Sequence, residues 1–397
     1  MTIESACISG FESVLSDAAL VAAGLRRLDA DAVDRLVASG VAPVAVVRRG
    51  DSAAEERLRA MGVHHLVPDD ADPRVVASVI AEAVAFGDGN STRPMRTFGD
   101  PAAATSLVIP PTGTASGAPT PQRRGSVVAV WGPTGAPGRT TVAVTLADEL
   151  ARLGCASLLI DADVYGGVIA AVLGLLDESP GLAAACRQAA ATRLDAAALA
   201  GLCWQLAPTL RVLTGIPRAE RWPELRASAV ESVLGAARAL ADFTVVDCGF
   251  SLESDEELSY DTVAPRRNGA TLAALDSADV MLAVGAADPI GLQRLVRGFS
   301  EVRDAEIAAP IWVVLNKVRR GVVPGDPRTE LSSALSRFAG RQPAALLPYD
   351  AESLDAALAV GKTLGEVRPA STLRQHTAEL AAGLAGVPQV RRRRRRA

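Results

Sequence analysis

The strongest constraint on this chain is the run Gly132-Pro-Thr-Gly-Ala-Pro-Gly138-Arg139-Thr140-Thr141. It lies between an apolar stretch, Ser126–Trp131, and a helical pattern, Val142–Leu153. Strand, glycine-rich turn and helix in direct succession is the context of a phosphate-binding loop. Backbone N–H groups converge there on phosphate oxygens, and the helix N-terminus adds its dipole. The run departs from G-x-x-x-x-G-K-[ST] at two places: Arg139 stands for the lysine, and the first glycine falls on Pro133. Phosphate contacts are therefore expected from Gly135, Ala136, Gly138, Arg139, Thr140 and Thr141, while Pro133 and Pro137 have no N–H to offer.

The weight of the arginine depends on composition. Lysine occurs only at Lys317 and Lys362 among the 41 basic residues, so arginine replaces lysine throughout the chain. With 397 residues, 49% hydrophobic and 22% charged, two or more domains and a large core are expected, and global disorder is excluded. Five cysteines without a C-x-x-C pair argue against a disulfide framework or a zinc ribbon. Met1-Thr-Ile-Glu-Ser5 has no basic segment followed by an apolar core, and no uncharged apolar run reaches the roughly 18 residues a spanning helix needs. A reducing cytoplasm is the expected setting. The net charge of −4 includes Arg391–Arg396; without those six arginines the body stands near −10, which argues against nucleic-acid wrapping.

Residues 1–87 read as a small α/β unit. Strands are expected at Ala6–Ile8, Pro43–Val47 and His65–Val67, and helices at Ala18–Leu28, Ala32–Ala38, Ala53–Met61 and Arg74–Ala85. The phrase Met61-Gly-Val-His-His-Leu-Val-Pro-Asp before a helix resembles the end of a response-regulator receiver domain. No acidic pair for a phosphoacceptor accompanies it, so the unit reads as a degenerate receiver or an unrelated α/β cap. Residues 88–125, rich in Gly, Pro, Ser and Thr, read as a disordered linker. From Ser126 to about 388, near-continuous apolar runs alternate with helical patterns. Strands at Val127–Val130, Ala156–Ile160, Leu210–Leu213, Phe243–Val246, Val280–Val284, Ile311–Leu315 and Ala344–Leu347 imply an α/β fold with a doubly wound, mostly parallel sheet.

Carboxylates follow two of these strands. Asp161 and Asp163 close the one at Ala156–Ile160, and Asp247 closes the one at Phe243–Val246. Open α/β sheets bind ligands at the C-terminal ends of their strands. A bound polyphosphate calls for Mg²⁺, which takes a hydroxyl and one or two carboxylates, and Thr140 and Asp247 suit those roles.

With these motifs together, the chain from about Ser126 to Gly386 resembles the MinD/ParA superfamily of deviant P-loop ATPases. The phrases that carry the resemblance are Gly138-Arg-Thr-Thr141, Leu159-Ile-Asp-Ala-Asp163, Thr244-Val-Val-Asp-Cys-Gly249, Val313-Val-Leu-Asn-Lys317 and Leu347-Pro-Tyr-Asp350. Within it, the pilus-assembly localisation proteins CpaE and TadZ and the septum-site proteins are the nearest match. The resemblance implies ATP and Mg²⁺ as ligands, with Arg139, Asp161 and Asp163 in the catalytic roles. Asp247 would be the Walker B carboxylate, Asn316 would read the adenine edge, and Pro348 would lie beside the base. It also implies a nucleotide-dependent homodimer that positions a protein partner. Thr134 stands where the family carries a lysine that reaches across the dimer, and the proline expected after Asp247-Cys248 is missing, so hydrolysis is expected to be slow or absent. Arg266-Arg267-Asn268 falls where the family's second switch enters a helix, and reads either as a sensor or as a solvated loop. The family's terminal amphipathic helix is replaced by Arg391–Arg396. That tail reads as an attachment to an anionic membrane surface or as a solubilising end, with nucleic acid a lesser partner.

Overall fold

The computed structural model describes residues 18–22, 33, 36–37, 41–87, 124–175, 181–253, 265–322 and 325–387. The chain divides into two compact units, whose described residues fall within 1–122 and within 123–397. The expected linker lies outside the described residues save for Arg124 and Gly125, and so does the arginine tail.

In the first unit β1 (Ala18–Ala22), β2 (Ala42–Val47) and β3 (His65–Pro68) form a parallel sheet in that order. Two helices follow strands: α1 (Ser52–Ala60) and α2 (Pro73–Gly87). Successive β2 residues face opposite sides. Ala45 and Val47 pack with Val33, Leu58, Met61 and Val63, while Val44 packs with Val67, Ile80 and Ala83. Asp51 caps α1 by accepting from the Ala54 N–H at 3.1 Å. The helix expected over Ala18–Leu28 is corrected: Ala18–Ala22 is a strand, registered from Ala18 against Ala42 to Ala22 against Val46. An alanine-rich segment has high helix propensity, and pairing with a neighbouring strand overrides it. The strand expected at Ala6–Ile8 lies outside the described residues. Of the helix expected over Ala32–Ala38, Val33, Leu36 and Val37 are described, all helical.

The second unit is built on an eight-stranded sheet in the order β11-β10-β9-β4-β8-β5-β7-β6. Its strands are β4 (Ser126–Trp131), β5 (Ser157–Ala162), β6 (Trp204–Ala207), β7 (Leu210–Leu213), β8 (Phe243–Cys248), β9 (Val280–Ala286), β10 (Ile311–Val318) and β11 (Pro343–Pro348). All neighbours are parallel except β6 and β7. Its helices are α3 (Arg139–Arg152), α4 (Ile169–Val172), α5 (Gly181–Ala190), α6 (Ala196–Leu202), α7 (Ala227–Leu240), α8 (Gly269–Asp276), α9 (Pro289–Asp304), α10 (Pro327–Ala339), α11 (Ala351–Leu358), α12 (Leu364–Val367) and α13 (Thr372–Leu384). Alternation along β4 assigns the two layers. Val127, Ala129 and Trp131 pack with residues of α5, α7, α8, α9 and α10, and Val128 and Val130 pack with α3, α12 and α13. This is the doubly wound α/β fold expected of the apolar runs.

In this sheet one strand, β6, lies outside the expected set. β6 carries the exposure pattern of an edge, with Trp204, Gln205 and Leu206 all exposed, so no alternation marks it in sequence. The chain leaves β4 for β5 on one side and returns to β9 on the other, so strand order reverses at β4. At such a reversal the helices diverge and a crevice opens at the C-terminal strand ends. The glycine-rich loop lies there.

Candidate functional site

The loop begins at Gly132, which lies so close to β9 that a Cβ would overlap the Val284 carbonyl. This glycine is required by packing. Further on, Gly135 (φ 102°), Ala136 (φ 51°) and Gly138 (φ 94°) take left-handed backbone. Mixed left- and right-handed turns of this kind form anion-binding concavities from backbone N–H groups. Gly138 precedes α3 with no side chain capping the helix, so the first-turn N–H groups are left for another acceptor.

Two residues of β10 hold the loop from outside. The Asn316 amide donates to the Pro137 carbonyl at 2.9 Å, and Lys317 Nζ donates to the Ala136 carbonyl at 2.7 Å. A Cβ on Gly138 would overlap the Asn316 amide nitrogen. Lys317 itself is left-handed, at φ 62°.

Arg139 lies beneath the loop. Its Nε donates to the Cys248 carbonyl at 3.1 Å and Nη1 to the Gly132 carbonyl at 3.1 Å. Nη2 reaches Asp163 Oδ2 at 3.3 Å, with only 13% of the arginine side chain exposed. The planar fork thus ties the ends of β4, β5 and β8 together, a geometry an ammonium group cannot reproduce.

The carboxylates meet beside it. Thr140 Oγ1 donates to Asp247 Oδ2 at 2.6 Å. Asp247 Oδ1 is buried without a hydrogen-bond partner. Burial first, and then the charge of Asp161, push the Asp247 carboxyl far above the usual carboxylate range. Asp161 is also buried and pushed up, chiefly by burial; its oxygens accept from the N–H groups of Asp163 (3.2 Å) and Ile169 (3.0 Å). Asp163 Oδ1 accepts from Tyr165 (2.9 Å) and Gly166 (3.2 Å), so both aspartates shape the turn that follows β5.

An unpartnered buried carboxylate oxygen is unfavourable, and a divalent cation would satisfy it. Thr140 and Asp247 present the hydroxyl and carboxylate that Mg²⁺ takes while keeping water and phosphate oxygens as its other ligands. Among the described residues no group of three or more His, Cys, Asp or Glu is disposed to hold a metal by itself. The residues fit a cation that arrives with phosphates.

Pro348 ends β11 beside β10, with Val318 as its register partner. Asn316 and Pro348 are therefore neighbours at strand ends, with the Asn316 amide turned to the loop. Thr134 lines a cleft at the front of the loop, and Thr141 follows Thr140 in the first turn of α3. Tyr165 and Ser251 escape sequence reasoning, and they meet Arg267 and Asn268 of the segment read as a sensor or a solvated loop. Tyr165 donates its hydroxyl to Asn268 at 2.8 Å, under the Arg267 guanidinium 4.2 Å from its ring centroid. Asn268 in turn donates to Ser251 Oγ (3.1 Å) and the Glu253 carbonyl (2.7 Å). Lys317 was marked by its rarity, as one of two lysines in the chain, and by its place at the end of the phrase Val313-Val-Leu-Asn-Lys317, with no role read for it.

No family model and no curated protein matches the sequence. Solved structures do. The ParA family ATPase of Chlorobium tepidum TLS matches 66% of this chain and 99% of its own at 18% identity, with a TM-score of 0.56. The septum site-determining protein MinD of Pyrococcus horikoshii OT3, complexed with Mg-ADP, matches 65% of this chain and 95% of its own at 16% identity, with a TM-score of 0.51. A Cyanothece McdA–ATP complex matches 67% of this chain and 98% of its own at 18% identity, with a TM-score of 0.51. The fold of the second unit is that of the ParA and MinD ATPases.

Proposed function

We propose that the chain is an ATP- and Mg²⁺-dependent switch protein of the MinD/ParA kind, with CpaE and TadZ as the nearest type, which positions a partner assembly such as pilus or division machinery. The observation that carries this reading is the Thr140–Asp247 contact at the head of the loop, with the second Asp247 oxygen unpartnered. Mg²⁺ held by Thr140 and Asp247 would offset the charge of the phosphates. N–H groups of Gly135, Ala136, Gly138 and Thr141 would cradle them, with Arg139 anchoring the loop from below. Asn316 clamps the loop, and Pro348 borders the place for the base. Asp163, Tyr165 and Asn268 link the turn after β5 to the turn after β8. A ligand that changes the contacts of Asp163 would bias that linkage, which is how a phosphate is read as a conformational state.

The accompanying proposals come from the sequence. They are a homodimer formed with nucleotide, a degenerate receiver-like unit over residues 1–87, a linker over 88–125, and a cytoplasmic protein attached at the inner membrane face through Arg391–Arg396. No helix among the described residues is long and apolar enough to cross a membrane. Liposomes rich in anionic lipid should sediment the full chain at low salt and release it as salt screens the tail. A chain ending at Gly386 should stay in solution. Identical behaviour of the two removes the membrane role.

A second reading, a nucleotide-binding scaffold without turnover, is favoured by Arg139 being engaged on carbonyls and Asp163, with neutral Thr134 in front. Calorimetric titration with ATP·Mg²⁺ and ADP, followed by phosphate release on the same sample, separates the two. Binding with release well below about 10 per second, the median enzyme rate, supports a slow switch; binding with no release supports the scaffold; no binding overturns both.

A further inference from the structure

The cations around the loop are of two kinds. Arg139 is committed beneath it to two carbonyls and Asp163, and Lys317 to the Ala136 carbonyl. Arg294, on α9, is exposed and forms no hydrogen bond or ion pair among the described residues. Its guanidinium nevertheless lies against the loop: a Cβ on Gly135 would overlap Nη1 and fall 3.0 Å from the guanidinium carbon. The two residues line a cleft of about 270 Å³ together with Pro133, Thr134, Pro137 and Asp288. The one carboxylate there is occupied elsewhere. Asp288 Oδ1 caps α9 through the Gly291 N–H at 2.8 Å, and Oδ2 lies 3.9 Å from Arg319.

We propose that Arg294 binds the terminal phosphate of a nucleoside triphosphate seated on this loop and supplies the positive charge that Thr134 lacks. The proposal rests on the nucleotide reading above. The inner phosphates would meet the N–H groups of the loop and the first turn of α3. An outermost phosphate would extend past those donors toward the cleft, and the two nearer cations are already engaged. An arginine fork suits a phosphate by forming two charge-assisted hydrogen bonds. A triphosphate carries the extra group for this contact and a diphosphate does not, so Arg294 would be a specificity residue that separates ATP from ADP.

The test is calorimetric titration of the full chain with ATP·Mg²⁺ and with ADP·Mg²⁺, using Arg294→Gln, Arg294→Lys and, as a control further along the same helix, Arg297→Gln. Ligand-free melting should be the same for all, because both side chains are exposed. Arg294→Gln should weaken ATP by roughly 10- to 30-fold, the size of a charged hydrogen bond, and ADP by less than about threefold. Arg294→Lys should retain part of the ATP affinity, and Arg297→Gln all of it. ATP affinity unchanged in Arg294→Gln overturns the proposal while leaving the nucleotide reading intact. Equal losses for ATP and ADP overturn it as general damage to the loop, and an equal ATP loss in Arg297→Gln overturns it as nonspecific charge. Absence of nucleotide binding by the unaltered chain overturns the nucleotide reading and this inference with it.

Discussion

Helix α3 has a buried carboxylate site at each end, and the two are built on opposite principles. Near its C-terminus, Glu149 is held by Arg374 of α13 through two bonds of 2.7 and 3.2 Å, and Asp148 by Arg152 at 3.0 Å. Burial raises the Glu149 carboxyl, and Arg374 opposes the shift. At the N-terminus, Asp247 has one oxygen on Thr140 and the other unpartnered, and the nearby arginine is directed to carbonyls and Asp163. Where the chain completes a buried charge from its own side chains, the site holds elements together. Where it leaves one incomplete, a ligand is the natural complement.

The largest effect belongs to the completed site. Arg374→Ala would leave the buried Glu149 with only Arg152, 3.9 Å away, and should lower stability by up to about 3–5 kcal/mol, read as a shift in the urea midpoint. Joint replacement by Glu149→Leu and Arg374→Met should recover most of that loss. If Arg374→Ala is neutral, the pair is not structural and the contrast collapses.

Arg139→Ala should come next. It should abolish the rise in melting temperature caused by ATP·Mg²⁺, a stabilisation of about 2.7 kcal/mol at a hundred times the dissociation constant. A rise as large as in the unaltered chain would show that the loop binds phosphate without its anchor.

Asp247→Asn should do the reverse of Arg374→Ala in the ligand-free protein. The folded carboxyl titrates above its unfolded value of 3.8, so its contribution to stability is present below that value and lost as pH rises toward the folded one. The asparagine protein should therefore match the unaltered chain near pH 4 and exceed it progressively toward pH 8, while losing Mg²⁺-dependent ATP binding. A stability gap that does not widen with pH would mean that the incomplete site carries no strain.

The smallest effect is expected at Asp51, a surface carboxylate satisfied by a helix N–H. Asp51→Ala should cost about 1 kcal/mol within the first unit and leave nucleotide binding unchanged. Incubation with a small phosphodonor should add no mass to residues 1–90. A phosphate found on Asp51 would make it a working phosphoacceptor.

Much of the second unit was legible in its residues. Buried parallel strands are apolar on both faces, so β4, β5, β7, β8, β9 and β10 stand out as apolar runs, as does the edge strand β11, and Asp161, Asp163 and Asp247 fall at the ends of β5 and β8. The edge strands β6 and β1 carry no such mark. β6 shows no alternation and is not read as a strand, and β1, with its alanines, reads as a helix until its partner is known. The loop was visible from its glycines, but not the reason for each. Gly132 is excluded from bearing a side chain by the Val284 carbonyl and Gly138 by the Asn316 amide, residues 152 and 178 positions further along, while Gly135 is required by its left-handed backbone at φ 102°.

The sequence by itself determined the α/β class, the strand–loop–helix order and the chemical types at the strand ends, because periodicity and turn chemistry act over a few residues. Tertiary structure decided which groups meet. It turned Arg139 down onto the Cys248 carbonyl and Asp163, set Asn316 and Lys317 as clamps on the loop, left one Asp247 oxygen without a partner, and brought Arg294 over Gly135. Those contacts join segments up to 181 residues apart. A local pattern assigns a side chain to a face and leaves its partner unspecified, and the partner decides whether a buried charge is structural or awaits a ligand.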